Sequence, residues 1–145
     1  MSEKSQTTPC ACTTVRKANR ALFRFYEDAM AGTGLSITQF SILRSLKRAG
    51  PVGLSTLAAT LVMERTSLYR TIAPLVKQGA VTLSSGANKK IKITAITPIG
   101  EAKITAALPN WSQAQNSIIS AVGDSEWAAM SALLLNIPHL VSDLS

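Results

Sequence analysis

The stretch Arg65-Thr66-Ser67-Leu68-Tyr69-Arg70 carries two guanidinium groups, two hydroxyls and a phenol beside apolar residues at helical spacing, Leu68, Ile72, Leu75 and Val76. On a helix the apolar set turns inward, and Arg65, Thr66, Ser67, Tyr69 and Arg70 turn outward. A guanidinium fork can grip two acceptors on a guanine edge, and hydroxyls near a helix start can meet bases or phosphates. The implied chemistry is recognition of a nucleic acid. The charge agrees. Residues 36–97 hold nine of the fifteen Lys and Arg and one of the eight acids, Glu64, leaving six and seven elsewhere. The chain's net +7 is thus +8 in this segment and −1 elsewhere, and a basic excess confined to one segment is what a phosphate-binding surface needs. Ser36, Thr38, Gln39, Ser55 and Thr56 stand where helices should begin and could serve phosphates or cap those helices. Lys89, Lys90 and Lys92 border a polar turn and add cations. The bland alternative is a solvated helix face.

Cys10 and Cys12 form a second cluster. Three readings stay open: incidental thiols, a redox pair, or soft-metal ligands with His139. A thiolate near a helix N-terminus, with Arg16 and Lys17 beside it, has reason to be stabilised. A bond across one residue would be strained, so oxidation would cross-link two protomers instead. Two thiols and one distant imidazole are a weak ligand set, and no metal or cofactor is expected. Nor is an enzyme expected. The chain has no phosphate loop, no metal-ligand cluster and no nucleophile–base spacing.

The 145 residues suit one domain, and an apolar fraction of 46% suffices for a core. No signal peptide is read at the start. No run approaches the roughly 20 apolar residues of a membrane span. A cytoplasmic protein without membrane contact is expected.

The elements that must position these residues are mostly helices. Residues 1–12 read as a flexible arm. Thr13 or Thr14 caps a first helix to about Ala31, ended by Gly32 and Gly34. Ser36 or Thr38 opens a second, through Phe40, Leu43 and Leu46 to Ala49, stopped by Gly50-Pro51. Val52 to Leu54 suits a short strand. Ser55 caps a third helix with Leu57, Ala58 and Leu61 inside. The fourth runs from Glu64 or Arg65 to Gly79, with Pro74 straining one turn. Two alternating runs, Val81 to Ser84 and Ile91 to Thr97, flank a turn at Ser85-Gly86-Ala87-Asn88. Thr97-Pro98 opens a long fifth helix to about Ala121, with Pro109 as a kink. Asp124 caps a sixth, where Trp127, Met130, Leu134, Ile137, Val141 and Leu144 recur every three or four residues. That seam fits a second copy of the chain or the protein's own first helix.

The predicted fold is mainly α with a small β-wing: a winged helix-turn-helix within a single domain, 13–145. Residues 36–97 form the reading lobe, and 13–35 and 98–145 the dimerisation helices. Gly34-Leu35-Ser36-Ile37-Thr38-Gln39-Phe40, Leu57-Ala58-Ala59-Thr60-Leu61, Arg65 to Arg70, Leu75 to Gly79 with Val81, and Ile96-Thr97-Pro98-Ile99-Gly100 occur in this order. In that order they resemble the MarR family of bacterial transcription regulators over about residues 13–143.

The resemblance implies a homodimer on a palindromic operator in double-stranded DNA, a repressor released by a small ligand or by thiol oxidation. It also implies a pocket for a small aromatic or carboxylate effector between lobe and dimer helices, where Phe23, Arg24, Phe40 and Trp111 stand. Family wings usually carry an Asp-Xaa-Arg element. This wing reads Ser84-Ser85-Gly86-Ala87-Asn88-Lys89-Lys90, so contact there would come from a mobile point charge and not a planar fork. The rival reading is a winged helix for protein or RNA contact without operator recognition.

Overall fold

The computed structural model describes residues 7–145. Helix α1 spans Ala11–Met30. It starts before Thr13 and Thr14, which therefore do not cap it. Cys10 is the extended N-cap residue, and its carbonyl accepts from the Thr14 N–H at 2.9 Å. The arm expected over 1–12 thus ends in helix at Ala11, and its residues 1–6 lie outside the described residues. Alanine is the best helix former, and the backbone bond to Cys10 extends the helix without a side-chain cap.

Helix α2, Ile37–Ala49, opens with a full capping box. Ser36 Oγ accepts from the Gln39 N–H, and Gln39 Oε1 accepts from the Ser36 N–H. Its inner face is Phe40, Ile42, Leu43 and Leu46. Strand β1, Val52–Gly53, leads directly into helix α3, Leu54–Thr60. Gly53 holds the N-cap position, so Ser55 is already inside the helix and caps nothing. The cause is tertiary. Val52 and Gly53 pair with Thr94 and Ile93, and burial of Leu54 draws the helix start forward.

Helix α4 spans Arg65–Lys77 and continues through Pro74. The proline removes one ladder bond. Full burial of Leu68, Ile72 and Leu75 offsets this at about 1.5–3 kcal/mol per side chain. Gly79 follows at φ +76°, the left-handed conformation that glycine adopts without strain.

Strands β2, Val81–Ser85, and β3, Lys92–Ile96, form the wing, with sheet order β1-β3-β2 and antiparallel pairing throughout. Thr94 is fully buried on the central strand. Its hydroxyl donates to the Val52 carbonyl at 2.8 Å, which binds the wing to β1. Left unpaired, such a hydroxyl would cost about 1–3 kcal/mol.

Helix α5, Pro98–Val122, opens as expected. Thr97 Oγ1 accepts from the Gly100 N–H, and Pro98 fills the first helical position. Helix α6, Asp124–Leu144, has Gly123 at φ +104° before it. Asp124 is therefore the first helical residue and not the cap, although its charge still suits the helix's positive end.

One core joins α1 through α5. Leu43, Leu46, Leu68, Ile72, Leu75 and Ala107 are completely buried in it. No residue of α6 is buried in the protomer, and Leu133, Leu135, Leu140, Val141 and Leu144 are more than half exposed. Of the seam itself Trp127 is half-buried, Met130 is 37% exposed and Leu134 and Ile137 are each 39% exposed, so the chain's own first helix does not bury it. Among the described residues no single helix is long and apolar enough to cross a membrane.

Candidate nucleic-acid interface

The opening of α4 presents the residues that its sequence promised. Leu68 and Ile72 are fully buried, while Arg65, Thr66, Ser67, Tyr69 and Arg70 are exposed. The wing and α3 then converge on this end. Leu54, Arg65, Thr66, Tyr69 and Lys92 line one groove of about 380 Å³. Ser55, Thr56, Arg65, Lys90 and Lys92 line its neighbour, about 370 Å³, together with Gly53 and Ile91. Arg65 and Lys92 border both. Register explains the meeting, since Lys92 pairs with Ser85 at the outer end of the hairpin while Ile93 pairs with Gly53 just before α3. Arg65, Lys90 and Lys92 therefore share the second groove with the hydroxyls of Ser55 and Thr56, a concavity that can seat phosphate oxygens.

The wing tip is held by backbone and amide contacts. Gly86 N–H donates to the Ile91 carbonyl at 2.7 Å, and Ile91 N–H donates to the Asn88 carbonyl at 2.9 Å. Asn88 Oδ1 accepts from the Lys90 N–H at 3.1 Å. An amide oxygen thus braces this turn, which lacks a carboxylate. Lys89 and Lys90 stay exposed.

Ser36, Thr38 and Gln39 are not brought into this concavity by any described groove. Ser36 and Gln39 are committed to the capping box, and the Ile37 N–H donates to Glu27 Oε1 at 2.7 Å. A protein carboxylate already occupies the end of α2 that a phosphate would seek. Thr38 lines a separate, mostly apolar groove of about 250 Å³ with Phe23, Ile37, Ser41, Ile42, Leu61 and Met63.

The four effector candidates divide into two pairs. Phe40 is a core residue whose ring lies 5.7 Å from that of Trp111, tilted by 30°. The Arg44 guanidinium carbon stands 4.3 Å from the Trp111 centroid and 5.6 Å from that of Phe40, a cation–π stack. Phe23 and Arg24 instead line a groove of about 680 Å³ with Asn19 and Arg20. No described cavity is lined by both pairs.

Cys10 and Cys12 are exposed free thiols at the start of α1. Hydrogen bonding from the Thr13 backbone N–H, then from its hydroxyl, holds the Cys10 thiol below its ordinary value, with a smaller contribution from the Cys12 N–H. Among the described residues no group of three or more His, Cys, Asp or Glu is gathered as metal ligands.

The model of the MarR family matches residues 35–90. The transcriptional regulator MosR of M. tuberculosis, solved in complex with DNA, is 31% identical. The match covers 94% of this chain and 98% of MosR, with a TM-score of 0.84. The chain belongs to the MarR family of transcription regulators. Two more distant structures share the fold. A mutant MarR from E. coli complexed with operator DNA is 19% identical over 86% of this chain and 91% of that one, TM-score 0.76. BpsR of Bordetella bronchiseptica, whose DNA binding is regulated by 6-hydroxynicotinic acid, is 17% identical over 92% and 96%, TM-score 0.78. No curated protein sequence matches the chain.

Within this MarR-type protein, sequence reasoning missed two polar residues at the lobe. Asn88 had a local signal, because asparagine in a turn commonly bonds the backbone two residues on. Glu27 had none, since its partner Ile37 lies ten residues away across a turn.

Proposed function

We propose that this MarR-family protein is a homodimeric transcription regulator that binds a palindromic operator in double-stranded DNA, as a repressor. The convergence of Arg65, Thr66, Tyr69, Lys90 and Lys92 with Ser55 and Thr56 on one concave face carries this reading. In it, α4 enters the major groove, where Arg65 and Arg70 meet base edges and Thr66, Ser67 and Tyr69 complete the surface. Lys89, Lys90 and Lys92 of the wing, with Ser55 and Thr56, hold the flanking phosphates and set the register. The DNA-bound structure of MosR supports the same use of the fold here.

Residues 36–97 act as the reading lobe, and 13–35 with 98–145 as the flank that pairs two copies. Two lobes about one helical turn of DNA apart need a two-fold partner. The apolar face of α6, unburied in the protomer, supports a second copy as that partner. Release comes from a small aromatic or carboxylate ligand beside Phe23 and Arg24 or near Trp111, or from oxidation at Cys10 and Cys12. The lowered Cys10 thiol favours the reactive thiolate.

The test is a mobility-shift assay on genomic DNA fragments with structured RNA as competitor. The reading expects a discrete complex on few fragments that RNA does not displace. Displacement by RNA at equal mass would refute operator recognition.

A further inference from the structure

Helix α1 is tied to two neighbours by side-chain hydrogen bonds. Toward α5, the Tyr26 hydroxyl donates to Gln115 Oε1, and Asn110 Nδ2 donates to the Ala29 carbonyl at 3.0 Å. Toward α2, Glu27 Oε1 accepts from the Ile37 N–H at 2.7 Å. Tyr26 and Glu27 are adjacent, so one turn of α1 holds the helical flank with one side chain and the lobe with the next. The linking turn is itself braced. The Thr33 hydroxyl donates to the Met30 carbonyl at 2.7 Å and accepts from the Leu35 N–H at 3.2 Å, and Leu35 is buried.

Glu27 is half-buried, and its charge stands at the positive end of α2. With the capping box it gives the Ser36, Ile37 and Gln39 N–H groups their partners. A hydrogen bond to a carboxylate is roughly twice as strong as a neutral one. Helix α2 packs its Leu43 and Leu46 in the same core as Leu68 and Ile72 of α4. Helix α2 also rests directly on α5, where Phe40 and Arg44 meet Trp111, and Glu27 adds the tie to α1 that completes the placing of α4 relative to the flank.

We propose that Glu27 is a positioning residue that fixes the angle between the α1–α5 flank and the reading lobe, and so the half-site spacing that the protein accepts on DNA. The proposal rests on the dimeric, operator-binding reading above. One base pair moves a half-site by roughly 3.4 Å along the axis and about a tenth of a turn around it. A rigid junction rejects that displacement, and a loose one follows it.

The test uses a duplex that the wild-type protein selects from a randomised library, and a version with one base pair inserted between the half-sites. Wild type should bind the spacer-shifted duplex about tenfold or more weakly. Glu27→Ala should narrow that ratio to about threefold or less, with affinity for random duplex unchanged. Glu27→Gln keeps an acceptor oxygen but loses the charge, and should give a ratio between those of wild type and Glu27→Ala. A merely structural role would weaken both duplexes alike, so a wild-type ratio in Glu27→Ala overturns the proposal. If that variant does not fold, Glu27→Asp, one methylene shorter, replaces it. The expected result is then a narrowed ratio with fast amide exchange at Ile37. An unchanged ratio despite fast exchange overturns the proposal. A wild-type protein that selects no paired half-sites defeats the dimeric reading itself, whereas a discriminating wild type with an equally discriminating variant defeats the Glu27 assignment alone.

Discussion

Arg65, the first residue of α4, and Lys92, the first residue of β3, line the same two grooves, so the recognition helix and the wing share one basic surface. In the proposed complex the pair divides the labour of recognition. A planar guanidinium at a helix start can read an edge, and a lysine on a strand supplies a point charge. Lys92→Ala should weaken binding to all duplexes nearly equally and lower the slope of log K against log salt by about 1. Arg65→Ala should cost more on the selected operator than on random duplex. Titrations across a salt series check both, and equal losses on both duplexes for Arg65→Ala would make it a phosphate contact only.

Gly100 sits where α5 begins, against the turn between α4 and β2 and the end of β3. A Cβ there would lie 2.3 Å from the Ala80 carbonyl oxygen and 2.7 Å from Ile96 Cγ1. Backbone cannot yield as a flexible side chain can. Gly100→Ala should therefore cost about 3 kcal/mol in urea unfolding. Gly32→Ala meets nothing within 4 Å but holds φ +83°, so its smaller cost should come from backbone strain alone. Equal midpoints for Gly100→Ala and wild type would contradict the close approach.

The α6 seam should decide assembly without deciding folding. Leu134 and Val141 are 39% and 56% exposed in the protomer. Glu at both positions should leave helix content and the core intact while placing charge on a face that pairing would bury. Sedimentation should then report a folded monomer, and operator affinity should fall at least tenfold, because two lobes bound independently lose the effective concentration of a linked pair. A double variant that still sediments as a dimer removes this face from the interface.

Cys10 should react at lower pH than an ordinary thiol. Its pKa is lowered, chiefly by the Thr13 backbone hydrogen bond, so its thiolate persists to lower pH than that of an ordinary cysteine. In the Cys12→Ser variant, the rate of alkylation against pH should reach half its plateau below the pH found for the same protein in denaturant. Thr13→Val, which removes the hydroxyl donor but keeps the backbone one, should shift the midpoint partway up. Identical midpoints for the folded and unfolded chains would show that Cys10 is an unactivated thiol.

Local signals explain which elements were legible. Ser36 and Gln39 form a Ser-Xaa-Xaa-Gln box whose two bonds close within four residues, and α5 opens on an equally local signal, one bond from the Gly100 N–H to Thr97 Oγ1 with Pro98 at the first helical position. The misplaced starts have a different origin. Ser55 is a good cap by type, but β1 pairs with β3 some 40 residues on, and that pairing delivers Gly53 to the cap position. Asp124 lost its place to Gly123, whose φ of +104° makes the corner between α5 and α6.

The site divides in the same way. Arg65, Thr66 and Tyr69 were readable from periodicity on one helix. Their meeting with Lys90 and Lys92 depends on strand register, whereas Ser36 and Gln39 are taken up by their own local capping box and only the Ile37 N–H is taken by a tertiary contact, with Glu27.

The most direct test of the central claim is the base preference of Arg70→Ala beside wild type, measured by selection from one randomised duplex library and by affinity for the wild-type winner. Wild type should enrich an inverted repeat with half-site centres about one helical turn apart. Arg70→Ala should bind that winner about 1–3 kcal/mol more weakly and accept other bases at one position in each half-site. Enrichment of no inverted repeat, or an Arg70→Ala protein with unchanged affinity and an unchanged preferred sequence, would contradict α4 as the reading helix.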